Sequence, residues 1–101
     1  MRALERIRRA IREENYRISM HANEEIDAEG FAAADMESII LGGAISRIFT
    51  RDPRGVRFEI AGPATDGRAG YVVCRFLPSR VLLIITAYAA GNHGVTDHEE
   101  D

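Results

Sequence analysis

The sequence predicts an α+β domain: three N-terminal helices packed on one face of a four-stranded antiparallel sheet. Two observations carry this. Up to Leu41 the apolar residues recur at helical spacing, whereas from Ala44 onward β-branched and aromatic residues come in short alternating runs. The connections between those runs are too short for a parallel crossover, so the later strands should form an antiparallel meander with the helices layered against it.

Ala3, Leu4, Ile7, Ala10 and Ile11 define the apolar face of a first helix over about 2–14. Its other side is crowded with arginine, but Glu5 with Arg9 and Arg9 with Glu13 stand four residues apart, the spacing of ion pairs on a solvated face. After the short β-favouring run Tyr16 to Ile18, Ser19 is placed to cap a second helix by accepting from the amide of Ala22. Gly30 suits the left-handed position that ends this helix, so it should cover 20–29. Met36, Ile39 and Ile40 form one face of a third helix over 33–41, with Asp35 and Glu37 at its positive end and Gly42-Gly43 to stop it. The four strands are expected at Ala44 to Thr50, Val56 to Ala61, Gly70 to Phe76 and Arg80 to Ala89. Asp52-Pro53-Arg54-Gly55, Pro63-Ala64-Thr65-Asp66-Gly67 and Leu77-Pro78-Ser79 supply the reversals.

At 101 residues, 46% apolar and 29% charged, the chain is read as one domain over 1–90 with an acidic, flexible tail at 91–101. The net charge of −3 is unevenly placed. Four of the sixteen carboxylates are Asp97, Glu99, Glu100 and Asp101, so residues 1–96 carry thirteen basic residues against twelve acidic ones. Every basic residue is arginine, whose planar guanidinium suits phosphate. No apolar run approaches a membrane span and no signal-peptide block is present, which makes the cytoplasm the expected location and a membrane partner unexpected. Cys74, the single cysteine, falls in a strand-like apolar run and reads as a small buried hydrophobe. No metal site or cofactor is expected: His93 and His98 lie in the tail without fixed geometry, and no glycine-rich phosphate loop precedes a helix.

Strand alternation sends Val56, Phe58, Ile60 and Val72, Cys74, Phe76 toward the helices and leaves a second face carrying Arg57, Glu59, Tyr71, Arg75, Thr86 and Tyr88. The apolar run Val81 to Ile85 marks the last strand as central. Arginines, a carboxylate and phenols on one surface suit cleavage of a phosphodiester by its own 2′-hydroxyl, and equally an ordinary hydrated sheet face in which Arg57 forms ion pairs with Glu59 or its neighbours. His21 lies in the first turn of the second helix. There the helix dipole favours the neutral imidazole of a general base, while Glu24 and Glu25 favour the imidazolium. A histidine that only bonds a neighbouring strand fits the same pattern.

Tyr16-Arg17-Ile18-Ser19-x-His21-Ala22-Asn23-Glu24-Glu25, Asp35-Met36-Glu37-Ser38-Ile39-Ile40-Leu41-x-Gly43, Arg51-Asp52, Gly62, Asp66-Gly67-Arg68, Val72-Val73 and Ile84-Ile85-Thr86-x-Tyr88 together resemble the bacterial domain of unknown function 4258 family. Such domains are similar to RelE-like and MqsR-like toxin ribonucleases. The resemblance implies a RelE/MqsR-like fold and a type II toxin acting as a metal-independent endoribonuclease on mRNA. It also implies a cognate antitoxin, of the zinc-finger YgiT or MqsA type. The family's His-Ala pair lands on His21. Many members carry arginine at the place of Glu25 and near Glu29, so phosphate binding here falls to Arg57 and Arg75. The implied catalytic set is His21 as general acid or base, Arg57 and Arg75 as phosphate clamps and Tyr88 as proton donor or stacking group, with Arg57, Arg75 and Tyr71 holding RNA. The alternative is a catalytically inactive, degenerate toxin that grips a protein partner through the same sheet face.

Overall fold

The computed structural model describes residues 2–91; the expectations for the tail, including His93 and His98, lie outside the described residues. The chain runs α1 (Ala3–Arg12), β1 (Tyr16–Ile18), α2 (Met20–Ala28), α3 (Ala33–Gly42), β2 (Ala44–Phe49), β3 (Arg57–Pro63), β4 (Ala69–Phe76) and β5 (Leu82–Ala89). The helices fall where the periodicity puts them. Ser19 caps α2 by accepting from Ala22 N at 3.0 Å, and Gly30 follows the helix with φ +74°. In α3 the cap comes from inside: Asp35 Oδ2 accepts the Ala32 amide at 2.7 Å, and its Oδ1 accepts the amide and hydroxyl of Thr65. Hydrogen bonds from Ala32, then Thr65, hold the Asp35 carboxyl below the usual carboxylate range.

The sheet departs from the expected four antiparallel strands. It has five, in the order β1-β5-β4-β3-β2, and is mixed. The last four form the antiparallel meander, while β1 lies parallel to β5 with Tyr16 opposite Leu82, Arg17 opposite Leu83 and Ile18 opposite Ile84. The physical reason is chain length: the long stretch between β1 and β5 easily makes a parallel crossover that the short turns cannot. With β1 on one side and β4 on the other, the first half of β5 is interior, as its apolar run suggests.

The core lies between the helices and one sheet face: Ile7, Met36, Ile39, Ile40, Ile60, Val72, Cys74, Leu82 and Ile84 are fully buried. Burial pushes the Cys74 thiol up to about 12, so it stays a neutral hydrophobe. Val56 is a correction, since it precedes β3 and is exposed rather than packed under the helices. The arginine face of α1 is also more committed than an ion-paired surface. Arg9 pairs with Glu13 at 3.1 Å, but Arg8 reaches inward to the carbonyls of Ile40 and Gly43, and the Arg6 guanidinium lies 4.6 Å from the centre of the Phe76 ring. α3 approaches β3 through bare backbone at Gly43 and Gly62. A Cβ on Gly62 would overlap the carbonyl oxygen of Ile39 and stand 2.7 Å from Gly43 Cα.

Candidate functional site

Because all three helices pack on one side, the other sheet face is left without a helix among the described residues. Register sorts this face into rows. One runs from Arg17 on β1 through Leu83 on β5 to Arg75 on β4, and the Phe58–Cys74 pairing puts Arg57 at the same level on β3, opposite Phe49 of β2. Three arginines therefore occupy one cross-strand row whose backbone positions span roughly 14 Å, three strand spacings. A second row holds Thr86, Val73, Glu59 and Arg47; a third holds Tyr88 opposite Tyr71. Two bulges keep polar side chains on this face, one at Ser46 in β2 and one at Ile85 in β5.

Glu59 sits at the centre of the face and is buried, though it lies opposite the core. Its Oε2 accepts the Tyr88 hydroxyl at 2.9 Å and its Oε1 the Ser46 hydroxyl at 2.8 Å. The Tyr88 and Tyr71 rings lie 5.3 Å apart at 34°. The expected pairing of Arg57 with Glu59 is thus replaced by another. Arg57 Nε is 3.2 Å from Asp52 Oδ2, an ion pair off the hydrogen-bond axis, and its guanidinium lies 4.8 Å from the Phe49 ring centre. Arg47 covers the same ring at 4.9 Å. Hydrogen bonds from the Arg54 side chain and amide lower the Asp52 carboxyl, with the charges of Arg54 and Arg57 adding to the effect. Asp52 reaches Arg57 because the Asp52–Gly55 turn folds back over the end of the strand. Arg75 and Arg17 make no ion pair with any described residue.

His21 lies apart, at the rim. It is 66% exposed, with Nε2 at 3.4 Å from Glu25 Oε2. The other oxygen of Glu25 accepts the Thr86 hydroxyl and the Ala87 amide, the latter at 3.0 Å, and Glu29 Oε1 accepts the Ala89 amide at 3.2 Å. Beyond Ile84, where β1 ends, β5 has an open edge. Ser19 continues the pairing by donating its amide to Ile84 O at 2.9 Å and its hydroxyl to Ile85 O at 3.1 Å, and the two glutamates then satisfy the amides that a longer β1 would have paired. Glu25 and Glu29 therefore have a structural task on this chain.

The structure brings Arg57, Arg75, Tyr71 and Tyr88 onto one face and leaves His21 on the helix at its edge. Three surface clefts do not unite them: one of about 510 Å³ holds Arg57 with Ile48, Phe49 and Asp52, and none of the three is lined by His21, Arg75 or Tyr88. Arg17, Arg47, Phe49 and Ser46 were missing from the sequence-derived set. Arg17 was accessible in principle, because its apolar neighbours Tyr16 and Ile18 alternate with it as in a half-buried strand. Tyr16 itself is structural: its hydroxyl donates to the Glu37 carboxylate, and burial together with this partner pushes its phenol up to about 12. No group of three or more metal-ligating side chains occurs among the described residues, and no described helix is long and apolar enough to cross a membrane. No protein-family model matches the chain, and neither a curated protein nor a solved structure is significantly similar to it.

Proposed function

We propose that the chain is an RNA-acting domain of the RelE/MqsR-like toxin kind that holds single-stranded RNA on its open sheet face. The observation that carries this reading is the Arg17, Arg75, Arg57 row beside the Tyr71–Tyr88 pair. Arg57 is already engaged by Asp52, but Arg17 and Arg75 in the same row make no ion pair with a described residue, and a polyanion supplies their counter-charge. Aromatic rings beside a cationic track supply base stacking that tolerates any sequence. In the cleavage step His21, on the helix at the edge of the face, is the proton carrier, since imidazole is the side chain suited to general acid–base work. It takes the 2′-hydroxyl proton as that oxygen attacks phosphorus and the bond from phosphorus to the 5′ oxygen breaks; the departing 5′ oxygen takes its proton from solvent water, and the arginines bear the charge that develops on the phosphoryl oxygens.

The test is RNA binding and single-turnover cleavage on one preparation. Arg75→Ala and Arg17→Ala should weaken single-stranded RNA and each flatten the salt dependence by about 0.7 in log–log slope. His21→Ala should slow cleavage by roughly 10² to 10⁴. Binding unchanged in both arginine variants would remove the open face from RNA recognition.

A second reading, an inactive module gripping a cognate antitoxin of the zinc-finger YgiT/MqsA type, draws on a different observation: Asp52 and Glu59 already engage Arg57 and Tyr88, and His21 stands outside the row. Co-expression with the neighbouring reading frame separates the two. A complex that forms through Arg75 and Tyr71 with no RNA cleavage by the isolated chain would favour the module.

A further inference from the structure

A second basic site lies on the opposite side of the sheet end that bears the arginine row. Between α1 and the β4–β5 turn is a cleft of about 370 Å³ lined by Arg6, Arg9, Glu13, Asn15, Phe76 and Arg80. That volume falls within the roughly 300 to 1,000 Å³ of small-ligand sites. Arg9 is engaged by Glu13, but Arg6 and Arg80 have no ion pair with a described residue. The Arg6 guanidinium carbon lies 4.6 Å from the centre of the Phe76 ring.

The backbone around this cleft is unusual. Among the described residues the non-glycine positions with positive φ are Glu14 at +58° and Arg80 at +74°, and they flank Asn15 and the cleft on its two sides. Asn15 Nδ2 donates to Arg80 O at 3.2 Å, and the Arg80 amide donates to Leu77 O at 2.8 Å, so the strained turn is held in place. Arginine thus occupies a backbone position that glycine would fit more easily, and its side chain lines the cleft. Phe76 pairs with Leu82 one step from the Arg75–Leu83 pair, so the cleft and the arginine row meet around the same turn.

We infer that this cleft is a second phosphate subsite, holding a nucleotide of the same RNA strand after it leaves the open face and rounds the β4–β5 turn. The inference rests on the RNA reading of the open face. Its test compares single-stranded RNAs of about four and about ten nucleotides, a range that spans one and two subsites. Arg80→Gly removes the guanidinium and relieves the backbone, so it should raise the denaturation midpoint while weakening the longer RNA about tenfold. Arg6→Gln should weaken the longer RNA similarly. Neither should alter the shorter one, whereas Arg75→Ala should weaken both. Wild-type affinity of both cleft variants for the longer RNA overturns the subsite and leaves the open-face reading standing if Arg75→Ala still weakens binding. Loss in the cleft variants with no effect of Arg75→Ala at either length overturns the shared path and the open-face reading together.

Discussion

Replacing Glu25 by Ala separates the structural task of this residue from any chemical one. Its Oε1 accepts from the Thr86 hydroxyl and from the amide of Ala87, a fully buried residue. Truncation leaves that amide without a partner, a cost of about 1–3 kcal/mol, while the Thr86 hydroxyl can turn toward water. With roughly 4–8 °C of midpoint per kcal/mol for a domain of this size, a loss near 2 kcal/mol lowers the thermal midpoint by about 10 °C. Glu25→Gln keeps an acceptor oxygen in place and should cost less than about 1 kcal/mol. His21→Ala removes an exposed side chain and should stay within about 0.5 kcal/mol of the parent. The assay is thermal and urea denaturation followed by far-UV circular dichroism on all three variants, with RNA cleavage measured on the same material. If Glu25→Ala melts with the parent, or His21→Ala loses as much as Glu25→Ala, the account of the β5 edge is wrong. If Glu25→Gln is stable but loses cleavage as severely as His21→Ala, the glutamate orients the histidine in addition to closing the edge.

Three further outcomes follow from the packing and the perturbed groups. Gly62→Ala should destabilise by roughly 3 kcal/mol in urea titration, because the new Cβ meets the Ile39 carbonyl and the Gly43 backbone, neither of which can turn aside as a flexible side chain can. Asp35, lowered by its amide and hydroxyl donors, contributes stability that is complete above the unfolded carboxyl value of about 3.9 and is lost as pH falls through the folded one. Asp35→Asn should accordingly be less stable than the parent at neutral pH, with the gap narrowing in acid as measured by urea midpoints. Cys74, buried and raised to about 12, should resist a thiol reagent in the native protein and react no faster than the chain unfolds once denaturant is added.

The elements were legible in the sequence wherever the signal is local. Ser19 before Ala22, Gly30 after the second helix and the turn at Asp52–Gly55 act through dihedral preference and hydrogen bonds within a few residues, so spacing alone places them. Alternation likewise sent Arg57, Glu59, Tyr71, Arg75 and Tyr88 to the face away from the helices, since a strand has only two sides. Pairing between distant segments is another matter. Three residues, Tyr16 to Ile18, are too few for their period to name a partner, and the parallel strand beside β5 exists because α2 and α3 carry the chain back across the sheet. The same distance in sequence hid which carboxylate meets which donor. Arg57 stands two residues from Glu59 but pairs with Asp52 because the turn folds over it, and Glu59 instead takes Tyr88 and Ser46 from other strands. Glu25 looked like a charge beside His21, and only the end of β1 at Ile18 exposes the Ala87 amide that the glutamate satisfies. Local propensity thus determined the helices, turns and faces, whereas the order of strands, the owner of each buried donor and the position of His21 at the rim were decided by the three-dimensional closure of the sheet.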